Sequence, residues 1–265
     1  MQLTASFLNA VVDIAYHAGE KILSIYYQKD ANIELIEKED GSPLTKADLL
    51  AHQCIVNALK ILTPNIPVLS EESSEEECYE RHQWKTLWLV DPLDGTKEFI
   101  HRTDEFTVNI ALIIDHRPVL GVVFAPALGV MYFAMDGEGA YKTVAGKTER
   151  IFAHFPIAGS YRIVASRRHG EEALEEFLQQ ISEHTLVNAG SALKICLVAE
   201  GAADLYPRLG PTSEWDTAAG HAIVNNAGGI LYNAQHQPFC YNSRATLLNG
   251  SFVVSHEHAP RFEFR

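Results

Sequence analysis

Residues 88–96 read Trp88-Leu89-Val90-Asp91-Pro92-Leu93-Asp94-Gly95-Thr96, an apolar run that ends abruptly in acid, as buried strands do where they emerge at a site. Two carboxylates then stand three residues apart around a bend that Pro92 stiffens, so Asp91 and Asp94 can converge. Pro92 also removes a backbone donor, Gly95 permits close approach of a ligand, and Thr96-Lys97-Glu98-Phe99 can open a helix whose free N–H groups attract an anion. Taken alone, an Asx turn followed by a helix cap explains the segment about as well.

Two other places supply acids of the same kind. Leu69-Ser70-Glu71-Glu72 ends a short strand-like run in acid, and Glu214-Trp215-Asp216-Thr217-Ala218-Ala219-Gly220 puts an acid at a helix start. Each has an ordinary role open to it: Glu71 as a solvated member of the acidic patch Glu71 to Glu80, Asp216 as the partner of Ser213 in a capping box. Brought together, however, they would repel. Two carboxylates ~4 Å apart cost about 4 kcal/mol at an effective dielectric of 20, so several ionised acids in one place need a cation, and hard oxygen ligands favour Mg²⁺.

The flanking sequence predicts an α/β protein in two halves. Leu8, Val11, Val12, Ala15, Gly19, Ile22 and Ile25 recur at helical spacing, as do Ala47, Leu50, Ala51, Cys54, Ile55, Ala58, Leu59 and Leu62. Between these helices, Glu37 to Pro43 is polar and turn-rich and reads as an exposed loop able to act as a lid. Phe106 to Tyr141 reads as a meander with turns at Asp115–Pro118, Ala125–Pro126 and Asp136–Gly139. After about residue 155 strands and helices alternate: strand Arg162–Ala165, helix Gly170–Ile181, strand Thr185–Val187, helices Ser191–Glu200 and Asp216–Asn226. The expected division is therefore an α+β half, residues 1–155, bearing the metal site, and an α/β half, residues 156–265.

Several familiar signals fail. Gly146-Lys147-Thr148 has Tyr141 where a phosphate loop needs its upstream glycine, so it reads as a turn; His256-Glu257-His258 lacks metalloprotease spacing, and Gly190-Ser191 does not complete a nucleophile elbow. Composition narrows the rest. At 47% hydrophobic, 265 residues can bury a substantial core, which excludes disorder, and 21 Lys plus Arg against 34 Asp plus Glu leaves a charge of −13, ill suited to gripping a nucleic-acid polymer. Cys54, Cys78, Cys196 and Cys240 show no C-x-x-C pairing, which fits a reducing cytoplasm. No basic leader or apolar run of ~18 residues is visible, so a soluble, unprocessed chain without a transmembrane segment is expected.

These marks together, an acid pair after a strand, D-P-[IL]-D-G-T and W-D-x-A-A-G in that order, resemble the inositol monophosphatase superfamily over nearly the whole chain. Asp91 to Phe99, Gly190 to Gly201 and Ala203-Asp204-Leu205-Tyr206-Pro207-Arg208 are most similar to its bacterial 3'(2'),5'-bisphosphate nucleotidases of CysQ type; inositol monophosphatases usually read D-G-T-T-N-F in the first stretch and lack the lysine in the second. The resemblance implies a layered αβαβα sandwich. It also implies that Glu71, Asp91 and the Leu93 carbonyl hold one Mg²⁺, that Asp91, Asp94 and Asp216 hold a second, and that a third, weaker Mg²⁺ binds near Glu71. Gly95 and Thr96 would offer backbone N–H groups to the scissile phosphate.

Asp48 matches the family acid that partners the motif threonine, Thr96, and on a helical wheel it falls between Ile55 and Leu59 within the apolar arc, an odd place for a solvated acid. Its structural alternative is the fourth position of a capping box begun by Thr45, and the two roles are compatible. On the substrate side, the positions matching His169, Ser191, Lys194 and Arg208 face the nucleotide and its second phosphate in the resembling enzymes, and a cation with hydrogen-bond donors suits a 5'-phosphate. The activity implied is Mg²⁺-dependent hydrolysis of 3'-phosphoadenosine 5'-phosphate, a small-molecule partner, to AMP and phosphate, clearing the by-product of sulfate activation and sulfotransfer, with the Li⁺ sensitivity of the family. The expected assembly is a monomer or homodimer, in the cytoplasm or peripherally at the inner membrane as in some relatives. The rival activities are inositol or sugar phosphate hydrolysis and, from another class, a catalytically silent metal- or nucleotide-binding protein.

Overall fold

The computed structural model describes residues 3–28, 35–37, 43–74, 76, 79–155, 160–165 and 171–264. Helix α1 (Ala5–Tyr26) starts at Thr4, whose hydroxyl accepts from Phe7 N–H, and a short antiparallel pair, β1 (Leu35–Glu37) and β2 (Pro43–Thr45), leads into α2 (Lys46–Leu62). The centre of the expected lid, residues 38–42, and the substrate-side His169 lie outside the described residues. Next come β3 (Val68–Ser70), β4 (Thr86–Asp94), the short helix α3 (Thr96–Ile100), β5 (Thr107–Ile114), β6 (Arg117–Ala125), β7 (Val130–Met135), β8 (Gly139–Val144) and β9 (Lys147–Arg150). Strands β3 to β9 form one seven-stranded sheet in sequence order, antiparallel throughout except that β3 runs parallel to β4. The expected meander is present, and Gly146 sits in the tight turn between β8 and β9 with φ +76°.

Both faces of this sheet are buried, and period-two alternation sorts its side chains. Trp88, Val90, Val108, Ile110, Leu112, Leu120 and Val122 pack with the apolar stripes of α1 and α2, whereas Leu87, Leu89, Ala111, Ile113, Val123 and Ala125 face the opposite core. The remaining elements are β10 (Ser160–Ala165), α4 (Glu171–Leu178), β11 (Glu183–Asn188), α5 (Leu193–Ala199), β12 (Leu205–Arg208), β13 (Thr212–Ser213), α6 (Glu214–Asn226), β14 (Gly229–Asn233), β15 (Leu248–Asn249) and β16 (Phe252–His256), and of these β10, α5, β12, α6, β14 and β16 share that second core. A five-stranded sheet runs β11-β10-β12-β16-β14, with β11, β10 and β12 parallel and β16 antiparallel to both its neighbours; β13 and β15 pair separately. Phe177 of α4 packs with Ile163, Leu205 and Val253 on the outer face. The layers are thus α1/α2, large sheet, α5/α6, small sheet and α4: an αβαβα sandwich.

Close approach of α6 to the large sheet depends on Gly121, where a Cβ would lie 2.2 Å from the Ala219 carbonyl oxygen. Two helix boundaries differ from the pattern-based expectation for local reasons. Helix α5 starts at Leu193, not Ser191, because Ser191 takes a left-handed φ of +50°. Helix α6 starts at Glu214 because Ser213, in extended conformation, is its cap. None of the described helices is long and apolar enough to cross a membrane.

Candidate active site

The large sheet, α6 and the turn before α5 meet at the end of β4. Register breaks between Asp91 and Asp94, where Pro92 cannot join the ladder, and the resulting bulge turns both acids into one cleft. Asp91 is 1% exposed, and its Oδ1 accepts from Leu93 N–H at 3.0 Å. From the other side, α6 delivers Asp216, whose Oδ2 accepts from Ser213 N–H at 2.8 Å, so the capping box exists and still leaves a carboxylate oxygen for the cleft. Oxygens of Asp91, Asp94 and Asp216 all lie within 4.8 Å of one another. Glu71, at the end of β3, lines the same lobe with Leu93 and Thr96, in a cavity of about 590 Å³.

The electrostatics report the crowding. Burial, then the charges of Glu71, Asp94 and Asp216, holds Asp91 well above the usual carboxylate range. Burial raises Asp94 to about 6, and burial followed by repulsion from Asp94 raises Asp216 to about 8. A cluster of hard oxygen donors whose pKa values stay raised against the opposing charges of Lys194 and Arg208 suits a hard divalent cation.

Asp48 sits beside this lobe at 3% exposure. Its Oδ2 accepts from Thr45 N–H at 2.8 Å and from the Thr45 hydroxyl at 2.5 Å, closing the capping box of α2, and its Oδ1 accepts from the Thr96 hydroxyl at 3.4 Å. Burial raises the Asp48 pKa against the lowering effect of the Thr45 hydrogen bonds. Gly95 caps α3 with φ +88°, a left-handed conformation that a side chain would strain.

A second lobe, about 170 Å³, shares Asp94, Gly95 and Asp216 with the first and extends to Ser191, Lys194, Tyr206 and Arg208. Lys194 is 7% exposed on the first turn of α5, its Nζ 5.8 Å above the Tyr206 ring; burial lowers its pKa while the Asp94 charge opposes the shift. Arg208 donates from Nη2 to Pro211 O at 2.9 Å, and its buried Nε has no hydrogen-bond partner among the described residues. The Ser191 hydroxyl faces two carbonyls, Asp94 O at 2.9 Å and Glu105 O at 2.8 Å. Of the sequence-derived site residues, all except His169 are described, and all converge on these two lobes or, for Asp48, beside them.

Sequence reasoning did not find Glu98, Glu105, Thr212, Trp215 or Phe252 as lining residues. Glu98 and Trp215 lie inside the quoted motifs and were within reach; Glu105 and Phe252 enter through tertiary packing and carry no local mark. Nor did it find the buried polar set behind Asp216. There Glu214, fully buried, accepts from Asn242 N–H at 2.6 Å and from Arg244 at 3.0 Å, and Arg81 donates to Asn242 and to the carbonyls of Arg244 and Ala245.

A sequence model of the inositol monophosphatase family matches residues 4–262. The 3'(2'),5'-bisphosphate nucleotidase CysQ of Salmonella typhimurium (strain LT2) is 49% identical over 249 residues, 94% of this chain and 99% of that one; the CysQ of Escherichia coli (strain K12) is 47% identical over 248 residues with the same coverage. The crystal structure of CysQ from Bacteroides thetaiotaomicron superposes with a TM-score of 0.84 at 44% identity, covering 96% of this chain and 98% of that one. A family match over nearly the whole chain, with relatives near half identical across it, shows that the chain belongs to the inositol monophosphatase family.

Proposed function

We propose that the protein is a metal-dependent phosphomonoesterase, a 3'(2'),5'-bisphosphate nucleotidase that converts 3'-phosphoadenosine 5'-phosphate to AMP and phosphate. The observation that carries this reading is the two-lobed cleft: one lobe gathers carboxylates, and the other presents buried Lys194 and half-buried Arg208 a short way beyond them. A substrate with phosphates at both ends of its ribose fits such a division; an inositol monophosphate leaves the second lobe's cations without a partner.

In this assignment Glu71, Asp91 and the Leu93 carbonyl hold one Mg²⁺, and Asp91, Asp94 and Asp216 hold another, with a third near Glu71. The donor set fits: all ligands are oxygens, and burial, joined at Asp91 and Asp216 by repulsion from neighbouring acids, raises the pKa values of Asp91, Asp94 and Asp216, a strain that a bound cation would relieve. When bound, the ions supply Lewis acidity to the phosphoryl oxygens and lower the pKa of water. The chain's own part is positional. Thr96, held by Asp48, orients the attacking water and passes its proton toward the buried Asp48 carboxylate. Gly95 and Thr96 present backbone N–H groups to the transferred phosphoryl group. Lys194, Arg208 and the turn at Ser191 set the distance between the two phosphates, Lys194 and the Arg208 Nε donating to the one that is not cleaved, and His169, outside the described residues, is assigned to the nucleotide by the family resemblance alone.

The same assignment places the metal site mainly in residues 1–155 and the nucleotide residues in 156–265, with Asp216 reaching back across. Cys54, Cys196 and Cys240 are free thiols, which suits the cytoplasm as its compartment. Phosphate release measured in parallel on 3'-phosphoadenosine 5'-phosphate, its 5'-phosphosulfate analogue, inositol 1-phosphate and fructose 1,6-bisphosphate tests the reading. The highest kcat/KM is expected on the first; an equal or higher value on inositol 1-phosphate would overturn it.

A further inference from the structure

The Ser191 hydroxyl has one hydrogen, and two carbonyl oxygens compete for it: Asp94 O at 2.9 Å and Glu105 O at 2.8 Å. A hydroxyl committed in this way has only lone pairs left to face a phosphate, and a phosphate repels them. The next residue grips the same acid at its other end, Ala192 N–H donating to Asp94 Oδ2 at 2.7 Å, and Asn109 Nδ2 adds a longer contact to that oxygen at 3.3 Å. Asp94 is therefore held by backbone and side chain at once. Its Oδ1 is the oxygen without a hydrogen-bond donor among the described residues.

Two backbone features show that this grip is built in. Ser191 adopts φ +50°, a conformation that costs any residue but glycine, and it is this turn that aims the hydroxyl at Asp94. Opposite it, Gly95 has no side chain, and a Cβ there would lie 2.1 Å from Ser191 Oγ. The notch at Gly95 is filled by the serine hydroxyl.

We propose that Ser191 is a positioning residue that acts through Asp94: it ties the turn before α5, on the nucleotide side, to the carboxylate cluster, so that the aim of the Asp94 carboxylate into the cluster is set from the nucleotide lobe. This rests on the assignment of Asp94 as a metal ligand. A direct contact from the Ser191 hydroxyl to the substrate phosphate is the competing role.

The test uses Ser191→Ala and Ser191→Gly, the second because glycine accepts the left-handed conformation and keeps the turn even where alanine does not. Mg²⁺ is titrated by calorimetry into the metal-free proteins, thermal unfolding is followed on the same samples, and kcat and KM are measured at several Mg²⁺ concentrations. Both variants are expected to bind Mg²⁺ about three- to tenfold more weakly, the loss that one hydrogen bond accounts for. Turnover lost at low Mg²⁺ should return at saturating Mg²⁺, with the nucleotide KM changed less than twofold. Unchanged Mg²⁺ affinity with a raised KM would overturn the proposal in favour of substrate contact. Unchanged affinity with only a lower melting temperature, or a glycine variant that binds Mg²⁺ like the parent, would overturn it in favour of a purely conformational role. The calorimetry stands even if the parent enzyme prefers another substrate, so the failure of the assigned activity and the failure of this inference are read separately.

Discussion

Asp48 Oδ1 accepts from the Thr96 hydroxyl at 3.4 Å while Oδ2 of the same carboxylate holds Thr45, so one buried acid is both helix cap and neighbour of the carboxylate cleft. The two duties separate by substitution. Thr96→Ala and Asp48→Asn are each expected to lower kcat about 10²- to 10⁴-fold, and the double variant to lose little more, because the pair works as a unit. Thr45→Ala removes the cap hydroxyl and its bond to Asp48 Oδ2 but leaves the Thr96 contact and the Thr45 N–H bond in place, so it should cost ~0.5–2 kcal/mol of stability with most turnover kept. Steady-state kinetics beside thermal unfolding on all four variants decide the matter; additive kinetic losses in the double variant would return Asp48 to its cap.

Lys194→Ala separates the two lobes. The ammonium is buried in the second lobe, and in the assignment proposed above it meets the uncleaved phosphate, so its loss should weaken kcat/KM on 3'-phosphoadenosine 5'-phosphate by roughly 10- to 150-fold, the value of a charge-assisted contact at ~1.5–3 kcal/mol. A substrate with a single phosphate should lose far less. Equal losses on both would reject the assignment.

How much of this was legible follows from what each feature depends on. Asp91, Asp94 and Asp216 announce themselves because Pro92, Gly95 and the Ser213 cap are local devices, readable from neighbours in the chain. The alternation of Trp88 and Val90 against Leu87 and Leu89 is equally local, although it does not say that β3 runs parallel to β4 while every other pair in that sheet is antiparallel. Ser191 was legible only as a substrate-side residue of a resembling family. Its hydroxyl meets Asp94 O and Glu105 O across separations of 97 and 86 residues, and no periodicity encodes such a meeting. Arg81 and Asn242, 161 residues apart, were invisible for the same reason.

Glu214 and Arg244 should respond unequally to removal. Glu214 is fully buried, whereas the Arg244 side chain keeps 35% of its surface in water, so deleting the arginine strands a charge and deleting the acid does not. Arg244→Ala is expected to cost about 3 kcal/mol, the low end for a buried pair given that exposure, and to lower the melting temperature by roughly 10 °C. Glu214→Gln should cost clearly less. Calorimetric unfolding of the two variants checks the order; the reverse order would mean that Arg244, rather than Glu214, is the strained partner.

The carboxylate cluster makes a pH signature that Mg²⁺ should erase. In the metal-free protein burial raises Asp94 to about 6 and Asp216 to about 8, both above the unfolded value near ~4. A group whose folded pKa is raised holds its proton longer in the folded state, so stability is lost as pH climbs from the unfolded toward the folded value. For Asp94 that loss is nearly complete by pH 6, and for Asp216 it continues to about 8. His221 acts in the opposite sense, because burial lowers its pKa to about 3 and the unfolded chain takes up the proton first as pH falls below ~6.5. Above that pH His221 is neutral in both states and drops out. Between about pH 6.5 and 8.5 the melting temperature of the metal-free protein should therefore fall, the raised Asp91 adding in the same sense, while saturating Mg²⁺ flattens the slope and Asp216→Asn reduces it without metal. Mg²⁺ binding near pH 7 must also expel protons, a release that calorimetry in buffers of different ionisation enthalpy reads directly and that should shrink as pH rises through the Asp216 value. A flat metal-free profile across this window, or Mg²⁺ binding without proton release, would show that Asp216 is already ionised at neutral pH and is not the acid that a bound cation has to uncover.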